Sequence, residues 1–192
     1  MTQKSGKREE RRARQRREKI KGILIWGGVG IAVLAIVGFF VWQAARPGAG
    51  EAIPIMSTSH IAVDSDPGKY NSDPPTSGPH YPSEAQAGFY DTNIYKYPAG
   101  YLVHNLEHGY IIFWYNCASL NESACAELKS QIKVVMDGVN SVKVIAYPWD
   151  AIDVPVVMTS WGRLQKMETF DAAQARAFYK SNLNHSPEPG AP

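Results

Sequence analysis

Residues 23–41 carry no charged side chain at all. Nineteen residues at ~1.5 Å rise make ~29 Å of helix, the thickness of a hydrocarbon core of ~30 Å. Nothing else in the chain so limits what it can become, because a run this long and uniformly apolar does not suit the exterior of a globular fold. Residues 1–22 hold ten Lys/Arg and three Glu, a net charge of +7. A basic flank of this kind stays in the cytoplasm. The expectation is a single-pass anchor in the cell membrane, with its N-terminus inside and a domain outside. A cleaved signal peptide is the rival reading, with a shorter apolar core and a small-residue cleavage site. Here Ala44-Ala45 is followed by Arg46-Pro47, and proline just after the cut disfavours cleavage. The expected divisions are a basic tail (1–22), an anchor (23–43), a linker (44–52), a domain (53–185) and a tail (186–192). The whole chain is at +2, so removing the +7 tail leaves −5 for the rest. The basic residues serve topology and attraction to anionic lipid, and nucleic acid is not an expected partner.

An exported domain sits in an oxidising space, where an even cysteine count suggests a bridge. Cys117 and Cys125 enclose a short polar loop. A disulfide there would staple the end of one strand to the start of the next helix. The alternative is a pair of soft metal ligands, although the spacing exceeds a Cys-x-x-Cys clip.

Hydrophobic periodicity predicts a broken strand over 51–63, interrupted by Pro54, then a long Pro-rich loop over 64–82. The five apolar or aromatic residues 111–115 read as a strand covered on both faces. A helix is predicted over 124–137, stopping at Gly138, and a strand over 141–147. Another strand covers 154–161, continued by 164–168, and a second helix covers 171–182 with Phe170, Ala173, Ala177 and Phe178 on one side. The class is α+β: a small mixed sheet with two helices on one face, after one transmembrane helix and a long Pro-rich loop region.

Three of the five histidines fall within residues 70–115. His104 and His108 are four apart, which puts both imidazoles on one face of a helical turn, and Gly109 lets the chain leave it. His80 follows a stiff Pro/Gly loop that can fold over them. Three imidazoles suit zinc or copper. Copper is preferred because Met56 and Met158 offer thioethers, with His60 or Met158 as a further ligand. Glu107 is placed behind the ligands, orienting an imidazole or pairing with Arg163. The alternative is that these histidines only fix the loop of a structural or protein-interaction domain at the cell surface. A third reading takes His104-Asn105-Leu106-Glu107-His108 as an inverted zinc-peptidase motif with Glu107 as base. It needs a long helix, which Gly109 cuts short, so a non-enzymatic role is expected. A partner outside the cytoplasm, receiving or supplying metal, would follow.

The strings PPTSGPHY (74–81) and LVHNLEHGYIIFWY (102–115) resemble the bacterial and archaeal "domain of unknown function 3105" family. Ser160-Trp161-Gly162-Arg163, Pro187-Glu188 and His60 also fit its pattern, over roughly residues 55–189. The resemblance implies a small membrane-anchored protein in which His60, His80, His104 and His108 belong to one pattern. It implies no activity.

Overall fold

The computed structural model describes residues 3–44, 48–91 and 97–192. Of the expected linker, residues 45–47 lie outside the described residues. The chain divides into two compact units, Met1–Pro47 and Gly48–Pro192.

The first unit is one helix, α1 (Gln3–Ala44). Its segment Leu24–Val41 is long and apolar enough to cross a membrane, and none of that segment is buried within the protein. A signal sequence at this position would have the same character.

The second unit is an α+β fold around a six-stranded mixed sheet. Its strands are β1 (Glu51–Ala52), β2 (Gly88–Phe89), β3 (Ile111–Tyr115), β4 (Val144–Pro148), β5 (Val156–Ser160) and β6 (Arg163–Met167), in the spatial order β1-β6-β5-β3-β4-β2. The β3–β4 and β2–β4 pairs are parallel, and the others are antiparallel. A parallel pair needs a crossover, and α3 (Glu122–Gly138) supplies it between β3 and β4. Asn121 caps α3 by accepting from the Ala124 amide, so the helix starts at Glu122, ahead of the expected start. Cys117 and Cys125 form a disulfide, with their Cα atoms 5.4 Å apart, tying the segment after β3 to the first turn of α3.

β3 is buried at all five positions, and its side chains alternate between two cores. Ile111, Phe113 and Tyr115 pack with Leu128, Ile132 and Val135 of α3 and with Ala175, Phe178 and Tyr179 of α4 (Ala172–Asn182). Ile112 and Trp114 pack with Leu102, Val103 and Leu106 of a third helix, α2 (Ala99–Glu107). The two expected helices therefore share one face, and α2 covers the other.

Four local readings change. Only Glu51–Ala52 of the expected 51–63 strand is in the sheet, and Ile55 and Val63 are exposed beyond it. α3 runs through Gly138, and β4 begins only at Val144, because Asn140, Ser141 and Lys143 take positive φ and hold the chain in turns. Residues 164–168 do not prolong β5. The chain reverses at Trp161-Gly162, with Gly162 at φ +66, and β6 returns antiparallel. The buried side of α4 is Ala175, Phe178, Tyr179 and Asn182, while Ala173 and Ala177 are exposed. Asp171 caps that helix from outside it.

Candidate metal centre

The centre lies on the α2 side of the sheet. α2 buries Leu102, Val103 and Leu106 against β3 and β4, which leaves His104 and Glu107, three apart, together on a neighbouring face. His108 is the residue that closes the helix, and its ring centroid is 4.4 Å from that of His104. Gly109 follows at φ +88, where a Cβ would meet the Asn184 backbone at 2.6 Å.

The Pro-rich loop brings in His80. Thr76 and Ser77 are fully buried. The Thr76 carbonyl accepts from the Gly162 amide (3.0 Å) and the Ser77 hydroxyl from the Met56 amide (3.0 Å). Tyr70 donates its hydroxyl proton to the Pro79 carbonyl (2.9 Å). The 74–81 part of this loop is thus mostly buried and held by specific hydrogen bonds. His60 is brought alongside by a short parallel bridge: the Ile61 amide donates to the His80 carbonyl (2.8 Å) and the His80 amide to the Ser59 carbonyl (3.1 Å).

The three rings form a triangle, with centroids 4.9 Å (His60–His80), 5.1 Å (His80–His104) and 5.2 Å (His60–His104) apart. Nδ1 of His80 lies 2.8 Å from the Gly78 carbonyl, and Nδ1 of His104 lies 2.6 Å from the Tyr81 carbonyl. A carbonyl oxygen only accepts, so both Nδ1 atoms carry the proton and donate it. In a neutral ring, Nε2 then keeps a bare lone pair. Burial lowers the His104 pKa; the Tyr81 hydrogen bond opposes this, and His108, His80 and His60 add to the lowering. That ring is neutral at pH 7.

Glu107 closes the set, with Oε2 2.8 Å from Nε2 of His80 and 3.5 Å from Nε2 of His60. A carboxylate facing an imidazole lone pair puts two acceptors together, and only a shared proton or a cation reconciles them. Ligand atoms of His60, His80, His104 and Glu107 all lie within 4.8 Å of one another. Three imidazoles, two of them oriented through their far nitrogens, plus one carboxylate, fit a divalent transition metal.

Glu107 was expected behind the ligands, but its carboxylate stands among them, because its i+3 relation to His104 puts the two on one side. Arg163 is directed instead to the Gly50 carbonyl. Met158 was expected as a ligand, but it is fully buried on the α3/α4 side of the sheet, opposite the histidines. Side chains alternate along β5, and Val157 is the one that faces α2. His108 stands next to the set but belongs to a second group with Glu84 and His104, whose ligand atoms are also within 4.8 Å of one another. Its Nε2 is 3.7 Å from Glu188 Oε2, and its Nδ1 is buried with no hydrogen-bond partner among the described residues. An unsatisfied buried polar atom costs about 1–3 kcal/mol. His185 is exposed.

Sequence reasoning missed Glu84 and Asn105 as site residues and gave Glu188 only as part of the family pattern. Asn105 is fully buried and holds the Ala85 backbone at both its amide and its carbonyl (2.9 Å each), fixing the segment that carries Glu84. An amide directly between His104 and Leu106, in a helix that supplies two other polar site residues, is the signal that could have found it. The Glu188 amide bonds the Glu107 carbonyl (3.0 Å), which lays the C-terminal segment across the end of α2.

A family model described as "Protein of unknown function (DUF3105)" matches residues 62–192. The matched span includes His80, Glu84, His104, Glu107 and His108, and His60 lies two residues before it. No curated protein and no solved structure matches the chain.

Proposed function

The chain belongs to the DUF3105 family, and we propose that it is a metal-binding module held at the outer face of a membrane by its N-terminal helix. His60, His80, His104 and Glu107 are its ligands. The observation that carries this reading is the pair of Nδ1–carbonyl bonds, which leaves Nε2 as the ligand atom of His80 and of His104, that of His80 lying 2.8 Å from Glu107 Oε2. Protein groups that fix the far side of a ligating imidazole are the usual companions of metal sites. The ion itself would supply the positive charge that Glu107 and the imidazole lone pairs share. Met158 is on the far face, whereas Met56 is half-buried, its sulfur 3.5 Å from where a Cβ on Gly78 would lie, and is not among the four ligands. A set of three nitrogens and one oxygen suits Cu(II) and Zn(II), and at equal availability copper binds more tightly. The extracytoplasmic placement is supported by the +7 tail before the span and by the disulfide. The role is copper or zinc handling outside the cytoplasm, with transfer to a protein partner there.

A second reading has one observation in its favour: the same Nδ1 bonds would fix the Pro-rich loop without any ion. Elemental analysis separates the two. The full chain, purified in detergent and incubated with Cu(II) and Zn(II), retains one ion per chain. A His80→Ala, His104→Ala double variant with unchanged circular dichroism retains none. An unsubstituted chain that retains neither metal overturns the metal-binding reading and leaves the histidines as loop-fixing groups.

A further inference from the structure

We propose that the cluster holds two overlapping metal positions that share one ligand atom, Nε2 of His104. One is the buried position completed by His60, His80 and Glu107, and the other is a loading position formed with Glu84 and His108. The proposal rests on the metal-binding reading above.

His104 belongs to both sets of candidate ligands, each set lying within 4.8 Å. Its Nδ1 is committed to the Tyr81 carbonyl at 2.6 Å, so Nε2 is its single lone pair. One lone pair serves one ion, and the two positions alternate. An ion held by Glu84, His104 and His108 exchanges the first and last of these for His60, His80 and Glu107 without leaving His104. Ligands replace ligands, no electrons move, and the net charge of each carboxylate is unchanged.

Two observations support the loading position. Nδ1 of His108 is buried and has no hydrogen-bond partner among the described residues, the mark of a group that awaits one. Glu84 is exposed to solvent, yet its neighbour Ala85 is pinned to α2 by both hydrogen bonds of Asn105. That places an accessible carboxylate on a fixed backbone beside the cluster. The buried position is less open: His80 is 0% and Glu107 3% exposed. Among its four ligands, His60 is the half-exposed one.

The test is the rate and stoichiometry of Cu(II) binding to the full chain in detergent. Binding is read by quenching of tryptophan fluorescence, since the Trp161 ring centroid is 6.3 Å from that of His80. Glu84→Gln and His108→Asn each slow quenching about ten-fold, the effect of raising the loading barrier by about 1.4 kcal/mol. Both still end at one copper per chain, because the buried position keeps its four ligands. Glu84 is exposed, so its substitution tests the idea even if His108→Asn impairs folding. Unchanged rates in a chain that binds copper overturn the proposal alone and put loading past His60. Two coppers bound at once overturn the shared ligand. An unsubstituted chain that binds no copper overturns both this proposal and the reading beneath it.

Discussion

Glu107→Gln is the most informative single substitution. The side chain is 4% exposed, and its Oε2 faces Nε2 of both His80 and His60. Glutamine keeps the shape, removes the charge and offers an amide donor to the His80 lone pair. Without metal, the variant therefore unfolds at nearly the temperature of the unsubstituted chain. With metal, it lacks an anionic ligand. A loss of about 100-fold in affinity is the upper end of what even an indirect metal partner costs. At metal 1,000 times the dissociation constant, binding stabilises the fold by about 4.1 kcal/mol; after a 100-fold loss, the same metal stabilises it by about 1.4 kcal/mol. For a unit of about 150 residues, each kcal/mol moves Tm by about 2–4 °C. The metal-induced rise then falls from about 8–16 °C to about 3–6 °C. Calorimetry of both chains, with and without Zn(II), gives the comparison. An equal metal-induced rise in the two would refute Glu107 as a ligand.

Other expectations follow from the same geometry. Met158→Leu keeps full metal stoichiometry and costs under about 1.5 kcal/mol, as a volume-conserving core change does; loss of the ion, by elemental analysis, would return Met158 to the site. The Tyr70 phenol is pushed up to about 12, first by burial and then by Tyr81 and Asp66. A pKa raised on folding adds stability that is full below the ordinary phenol value of about 10 and is lost as pH rises toward 12. Denaturant titrations at alkaline pH therefore show a decline that Tyr70→Phe reduces, and parallel curves for the two would count against it. The disulfide closes a loop of eight-residue separation. Chain entropy gives it about 2.5 kcal/mol, so a Cys117→Ser, Cys125→Ser double variant melts about 5–10 °C lower; an unchanged Tm would show that the bridge adds nothing.

Much of the fold is legible because local pattern and tertiary role agree. β3 reads as a doubly covered strand, since five apolar residues in a row leave no face for water. α3 is legible from the spacing of Leu128, Ile132, Val135 and Met136, and α4 is legible as a helix though not in the face it buries. The turns were harder. Ser141 and Lys143 lie in the expected strand over 141–147 but take positive φ, as does Asn140 before it, and nothing in their alternation signals it. The helical spacing of His104 and His108 is legible, and so is the stiffness of the loop that carries His80. The partition of ligands is not. Met158 was attractive for its chemistry, but strand parity in β5 sends it to the opposite core. Glu107 looked peripheral, but one helical step places it among the rings.

By itself, the order of residues determined an uncharged span long enough for a bilayer, a basic segment ahead of it and a cysteine pair close enough to bridge. It also determined a set of histidines in unusual contexts. These are properties of composition and short spacing, and local sterics and solvation suffice to read them. Tertiary structure alone decided which histidines meet, which carboxylates join them and which sulfur is excluded. His60, His80 and His104 converge because a loop, a bridge and a helix pack on one face of the sheet. Contacts between segments tens of residues apart depend on how the whole core closes, and no local spacing encodes that.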